Sequence, residues 1–409
     1  MQAKEKRVSF LILLFSEFMD YMGVALVYPL FAYMLFDPSL KFLPASASAG
    51  TRGLWLGFLI ALHPFLQFLC APLFGALSDR KGRKRLLRYT MGLGLVGYSA
   101  AILACLFQSL FLLALFRICV GISGGNCSII SAVVADLSTP ETKAKNYGLL
   151  NMAFGAGFTL GPFLSGFLAQ RIHLCAPFFT ALLFVSLNWL LVSWKLKETR
   201  PLKNDGKIGV FTAFSQLKQA VFMPELRFLF LSLLIFSFGW SFFTEFAGLY
   251  LIDRYQFTPN SIGLYYAYNG FFYAVSAGCL IYPFIRRLKT EKILIYSMIC
   301  SGLYLAILGV IDQSYLLWLY LPLLQFFLSF VYPAICAAIS NRVSEERQGE
   351  VMGMYQGIIA LALAVTPFCG GGLAGNHSFS IIFLSGFFMV AAAGVLLFLK
   401  DKVPILNAD

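Results

Sequence analysis

The sequence predicts an all-α integral membrane protein of two six-helix bundles, on three observations. Of its 409 residues, 59% are hydrophobic and 12% charged, about half the charged share (roughly 25%) of a soluble domain. A soluble fold of this length could not cover itself with so little polar surface, whereas a bilayer is a solvent that asks for none. Second, the apolar residues gather into twelve runs, each about as long as the ~20 residues that a span needs. Third, Lys and Arg collect in alternate connections between those runs, as the positive-inside rule requires.

The runs lie near 9–36, 53–77, 86–105, 109–135, 145–169 and 175–194, then near 227–252, 260–284, 292–311, 315–340, 350–374 and 378–399. The first six make an N-terminal bundle (1–194) and the last six a C-terminal bundle (227–409). Residues 195–226 divide them. Here KLKETRPLKNDGK reads as a polar linker, and FTAFSQLKQAVF as a short amphipathic helix lying on the membrane surface. The start, KEKRVSFLILLF, has the basic and apolar regions of a signal peptide. Glu17 and Asp20 follow, however, and the run continues past Pro29 with no clear cleavage site, so a retained first helix is expected.

With the N-terminus inside, 26 of the 31 Lys and Arg residues fall in cytoplasmic segments, four in outer loops, and Arg117 alone within a span. Both termini are therefore expected to be cytoplasmic. The net charge of +12 is loop charge of this kind, and no nucleic acid partner is expected. Nine cysteines lie mostly inside the runs without a CxxC pair. They read as small apolar residues, not as a disulfide or zinc framework. His63, His173 and His377 show no ligand spacing, so no metal and no cofactor is expected, though His63 lies within a span and could handle protons. The absence of a Walker loop, GxSxG elbow or HExxH motif argues against an ATPase or hydrolase.

An internal repeat runs at an offset of 205. GLLNMAFGAGFTLGPFLSGFLA (148–169) aligns with GMYQGIIALALAVTPFCGGGLA (353–374), pairing Gly148 with Gly353, Pro162 with Pro367, Phe163 with Phe368 and Gly166 with Gly371. It falls in the fifth run of each half, as duplication of a six-helix unit predicts.

Charged groups inside a bilayer are costly and by default functional. Glu17 and Asp20 are three apart in the first run and share a face. Two carboxylates in one dry cavity disfavour joint ionisation, so such a pair can load and release a proton. The structural alternative for Glu17 is a solvated place near the inner interface. Arg117, in LFRICVGISGG, is either functional or bound to backbone carbonyls. Glu245, in FFTEFAGLYLIDRY, stands among Phe242, Phe243 and Phe246, where a cation would find charge and aromatic faces; equally, it is an acid near the outer end. Tyr28, Gln67, Asn126, Asn151, Phe243, Tyr266, Asn269, Gln325 and Gln356 are candidates to line a substrate cavity, although single polar residues also serve as glue between helices.

Between the second and third runs stands GALSDRKGRKR, residues 75–85. The positive-inside rule accounts for its basic residues but not for Gly75, Asp79 and Gly82 at these spacings. The segment resembles the major facilitator signature GxLaDrxGRkr at nearly every position, and a major facilitator fold is expected. The resemblance implies that Gly75, Asp79, Arg80, Gly82 and Arg83 form a cytoplasmic latch. It also implies that Asp79 sits near the start of the eleventh helix and that Arg83 pairs with an acid ending the fourth, the place of Asp136 in VVADLS.

The fifth run carries Gly148, Gly157, Gly161, Pro162, Ser165 and Gly166. It resembles the antiporter signature G-x8-G-x3-GP-x2-GG, with Ser165 in place of one glycine; such small residues also let helices pack closely. DYMGVALVYP resembles the first helix of tetracycline-type exporters, with Asp20 at the acid's place. Arg117 stands in R-x-x-V-G where the family has R-x-x-Q-G. Together these likenesses imply a monomeric, proton-coupled antiporter of the bacterial inner membrane. It would export a drug-like or amphipathic small molecule and would not be an enzyme. The altered fourth-helix pattern leaves open proton-coupled transport of a specific metabolite or siderophore on the same fold. A scaffold without transport would have no need of Glu17, Asp20 and Arg117.

Overall fold

The computed structural model describes residues 3–37, 39–138, 140–199, 223, 226–280, 290–340, 342, 348–376 and 378–398, and among them every regular element is helical. The first span is α1 (Ala3–Ala25) with α2 (Val27–Phe36). Then come α3 (Ala49–Lys81), α4 (Arg83–Phe107), a fourth span made of α5 (Leu110–Ser123) and α6 (Asn126–Leu137), α7 (Pro140–Arg171) and α8 (Ala176–Lys195). The remaining helices are α9 (Arg227–Tyr255), α10 (Pro259–Val275), α11 (Thr290–Leu308), α12 (Ser314–Ser340), α13 (Gln348–Asn376) and α14 (Ser378–Phe398). Among the described residues, eleven helical segments are long and apolar enough to cross a membrane. The expected eighth span is α10, continued by a π-helical turn over Ser276–Leu280; its remainder, 281–284, and the expected surface helix lie outside the described residues.

Two spans break where their sequences demand it. Proline lacks an N–H, and its ring crowds the carbonyl four residues back. Pro29 thus interferes at Ala25, the residue where α1 ends. In the fourth span the pair Gly124–Gly125, both poor helix formers, separates α5 from α6.

The helices form two compact units. The first takes Met1–Ala47, Phe58–Thr212 and Thr258–Ala267. Its apolar core joins α1, α4, α6, α7 and α8 through Ile12, Leu13, Leu87, Met91, Ile129, Val133, Leu150 and Val192. Rings of Phe31, Phe116 and Phe178, with centroids 6.3 and 5.6 Å apart, tie α2, α5 and α8 together. The second unit takes Ser48–Gly57, Ala213–Phe257 and Tyr268–Asp409. In it α9 packs along α14 and α13, and α11 along α14 and α12.

The repeat is visible as the same close approach made once within each unit. A Cβ on Gly166 of α7 would stand 2.2 Å from the Pro259 carbonyl oxygen at the start of α10, and one on its repeat partner Gly371 of α13 would stand 2.5 Å from that of Gly53 near the start of α3. Only a residue without a side chain admits backbone so near.

Candidate functional site

The site begins with the way α7 holds α1. A Cβ on Gly157 would lie 2.4 Å from the Phe18 carbonyl oxygen, and one on Gly161 would lie 2.5 Å from that of Met22. One further turn along, Ser165 donates from Oγ to the Leu26 carbonyl at 2.8 Å. These residues are four apart and so share one face of α7. The face lies directly on the backbone of the helix that carries Glu17 and Asp20. Ser165, the departure from the glycine signature, thus serves the break between α1 and α2.

Glu17, Asp20, Tyr21 and Val24 of α1 line a small cavity inside the first unit. It is closed by His63 and Gln67 of α3, Met91, Gly94 and Tyr98 of α4, Val120 and Ser123 of α5, Gly124 of the break, Cys127 of α6, and Val185 and Asn188 of α8. The space open to a water's centre is about 20 Å³, enough for one water. Asn126 hydrogen-bonds the Asp20 carboxylate. It is itself wholly buried, accepts from Thr90 Oγ1 and donates to Ser123 Oγ at 3.3 Å. The amide is therefore held in place from α4 and α5 before it meets the acid. Gln67 hydrogen-bonds Tyr21 and donates to Cys127 Sγ at 3.7 Å. Nearby, Asn188 accepts from Ser16 Oγ at 2.9 Å. Glu17 is buried, not solvated at an interface.

Arg117 is buried on α5. Its Nε donates to the Leu59 carbonyl at 2.8 Å and its Nη2 to the Ile60 carbonyl at 2.9 Å. The second contact has a cause in the chain: Pro64 follows Ile60 by four residues and has no N–H to give. The guanidinium supplies the missing donor and joins α5 to α3. It also lies 5.8 Å from the centre of the Phe31 ring.

At the other end of α3 the basic segment is drawn into a knot. Arg83 donates from Nε to Asp136 Oδ2 at 3.1 Å and from Nη1 to Ser78 Oγ at 2.7 Å. Glu198, just past α8, accepts from the backbone N–H groups of Arg83 at 2.8 Å and Lys84 at 3.1 Å. It thus caps α4 with a charge that the helix dipole favours. Gly82, at φ 91°, leaves room for this, since a Cβ there would stand 2.7 Å from Glu198 Oε2. Thr199 Oγ1 adds a bond to Asp136 Oδ2 at 3.1 Å. Arg83→Ala strips a buried charged donor from Asp136 and Ser78. It should cost about 2 kcal/mol, and Glu198→Ala about 1 kcal/mol as a lost cap. Thermal melting in detergent checks both; a melting temperature unmoved by either would show that the knot adds nothing to stability.

In the second unit Glu245 is buried on α9, and Phe243 stands 6.3 Å, centre to centre, from Trp240. Gln325 of α12 donates to Asn269 of α10 at 2.5 Å. Gln356 is exposed on α13. Tyr28 and Tyr266, both in the first unit, have ring centres 5.5 Å apart. Gly75 is half-buried near Ser128, and Arg80 is half-buried. The side chains of Asp79 and Asn151, and the surroundings of Gly148, lie outside the described residues. Among the described residues no group of three or more His, Cys, Asp or Glu could hold a metal ion. Sequence reasoning missed Thr90, Ser123, Asn188 and Glu198. The i, i+4 spacing of His63 and Gln67 was a signal for the α3 side of the cavity. Nothing local announced Glu198, which lies 115 residues from its partner Arg83.

Compared with known proteins, the chain matches the family model described as Major Facilitator Superfamily over residues 13–324 and 229–408. It is 27% identical over 362 residues to the tetracycline resistance protein, class C, of Escherichia coli, covering 87% of each chain. It is 26% identical over 396 residues to the quinolone resistance protein NorA of Staphylococcus aureus (strain COL), covering 96% of each. Among solved structures it resembles the human organic anion transporter MFSD10, with a TM-score of 0.69 at 22% identity over 97% of this chain and 100% of that one. A peptide transporter, POT, solved with alafosfalin, gives 0.75 at 14% identity over 96% and 94%. At such identities the solved structures speak for the fold alone.

Proposed function

Because the chain belongs to the Major Facilitator Superfamily, we propose that this multi-pass membrane transporter is a proton-coupled antiporter that exports an amphipathic, drug-like molecule. The observation that carries the reading is the acid pair of α1, which lines a small cavity on a helix whose backbone is clasped by Gly157 and Gly161. Asp20 is the coupling acid. A proton that binds it neutralises the charge to which Asn126 is presented, and so changes what α1 gains from its neighbours. Substrate and proton then compete through the equilibrium between two arrangements of the molecule. Arg83 and Asp136 are a contact that can be made in one arrangement and broken in the other. On the side of the substrate, Glu245 and the rings near it suit a cationic or aromatic molecule. The resistance proteins to which the chain is similar are named for tetracycline and quinolone, amphipathic ring compounds of this kind.

The protein acts as a monomer in the bacterial inner membrane, with 1–194 and 227–409 as its two bundles and both termini in the cytoplasm. Inside-out membrane vesicles with an imposed pH gradient provide the test. They should accumulate a tetracycline, a fluoroquinolone or a cationic dye and release protons as they do so. Accumulation without counterflow of protons would overturn the antiport reading. Movement of an iron chelate in the opposite sense would replace it with proton-coupled siderophore import.

A further inference from the structure

His63 and Glu17 are the two groups in the cavity of the first unit that Asp20 and its hydrogen bonds leave unexplained. His63 is 2% exposed, and among the described residues neither ring nitrogen has a hydrogen-bond partner. Glu17 is 6% exposed, and its Oε2 likewise has none. Buried polar atoms in that state are rare and costly. The imidazole is seated against the glycines of the fourth span: a Cβ on Gly124 would stand 3.0 Å from its Cε1, and one on Gly121 3.0 Å from its Cα. Both side chains line the cavity, which has room for one water, and a buried water wants two to four polar partners.

We propose that a buried water joins Glu17 to His63, and that the pair is a second proton-handling site beside Asp20. The bridge rests on the cavity; only its part in transport rests on the antiport reading above. With Glu17 protonated, its O–H donates to the water, and the water donates to the lone-pair nitrogen of a neutral imidazole. When the proton leaves, the carboxyl gives it to the water, the water passes one to the facing nitrogen of His63, and the imidazole releases the proton of its other nitrogen to solvent water as the cavity opens. The bridging water then donates to the carboxylate and accepts from the His63 N–H. The imidazole is neutral before and after, so the site loses one proton, and only the nitrogen that carries the imidazole's proton has changed. The other titratable or charged groups around the pair are Asp20 and Tyr21 on α1, Tyr98 on α4, Arg117 on α5 and Cys127 on α6.

With three histidines in the chain, the His173→Gln/His377→Gln variant carries His63 alone. Its 15N spectrum in lipid nanodiscs should show the two ring nitrogens exchanging character as pH is varied, and Glu17→Gln should abolish that response. A response that persists unchanged in Glu17→Gln overturns the bridge. In proteoliposomes His63→Gln should slow substrate-induced proton release by about a hundredfold, with substrate affinity unchanged. Release at the wild-type rate overturns the relay. If wild-type protein releases no proton on binding any substrate, the antiport reading fails, and the spectra still decide the bridge.

Discussion

Asp20→Asn is expected to abolish gradient-driven accumulation of substrate while leaving downhill exchange intact. The substitution keeps the shape of the side chain and an oxygen to which Asn126 can still donate, so the packing of α1 is preserved. What disappears is the ability to take up a proton on one side and surrender it on the other, without which no free energy passes from the gradient to the substrate. The same variant should flatten the dependence of substrate affinity on pH, because the competing proton has lost its seat. Glu17→Gln should do less, slowing proton release without ending coupling, since Glu17 lies one turn nearer the N-terminal end of α1. Detergent-solubilised protein mixed with substrate and a pH indicator reads this directly. Undiminished release in Asp20→Asn would remove Asp20 from the mechanism and make Glu245 the next acid to test.

Gly161→Leu is expected to be a severely damaging change in α7. Its Cβ would stand 2.5 Å from the Met22 carbonyl oxygen, and the obstacle is backbone, which cannot turn aside as a flexible side chain would. The two helices must separate, and with them go the close approach at Gly157 and the bond from Ser165 to Leu26. Overpacking of this kind costs about 3 kcal/mol or more. It should lower the melting temperature and extinguish transport, since the cavity wall moves with α1. Gly155→Leu is the control: it lies in the same helix, two residues from Gly157, with nothing within 4 Å of its built Cβ, and should melt near the wild type. Equal melting of the two variants would show that α1 and α7 are not in backbone contact.

The contrast between Gly155 and Gly161 also marks the boundary of what a sequence can tell. Both are glycines in a glycine-rich apolar run. The signature spacing picked out Gly161, but its partner, the Met22 carbonyl, was not readable. Ser165 stood in the sequence only as a departure from the signature; the structure shows it bonded to the Leu26 carbonyl beside the break between α1 and α2.

Elsewhere the sequence was sufficient wherever the membrane itself left no choice. Apolar runs of span length must become helices, because backbone groups find no water in the hydrocarbon. That argument needs no knowledge of neighbours, and it yielded the helical spans. The spacing of Glu17 and Asp20 placed them on one face by helix geometry alone, and the basic motif located Arg83 and Asp136, which meet at 3.1 Å. Only the tertiary structure decided which faces turn inward. In lipid an outward leucine is as well solvated as an inward one, so no polar stripe marks the inner side of a span as it does in a soluble helix. Asn126 on Asp20, Arg117 on the carbonyl that Pro64 leaves without a donor, and His63 sharing a cavity with Glu17 are all contacts between different helices. Each depends on how those helices are rotated, which is set by side-chain fit and backbone approach and is not written in the hydropathy of any one of them.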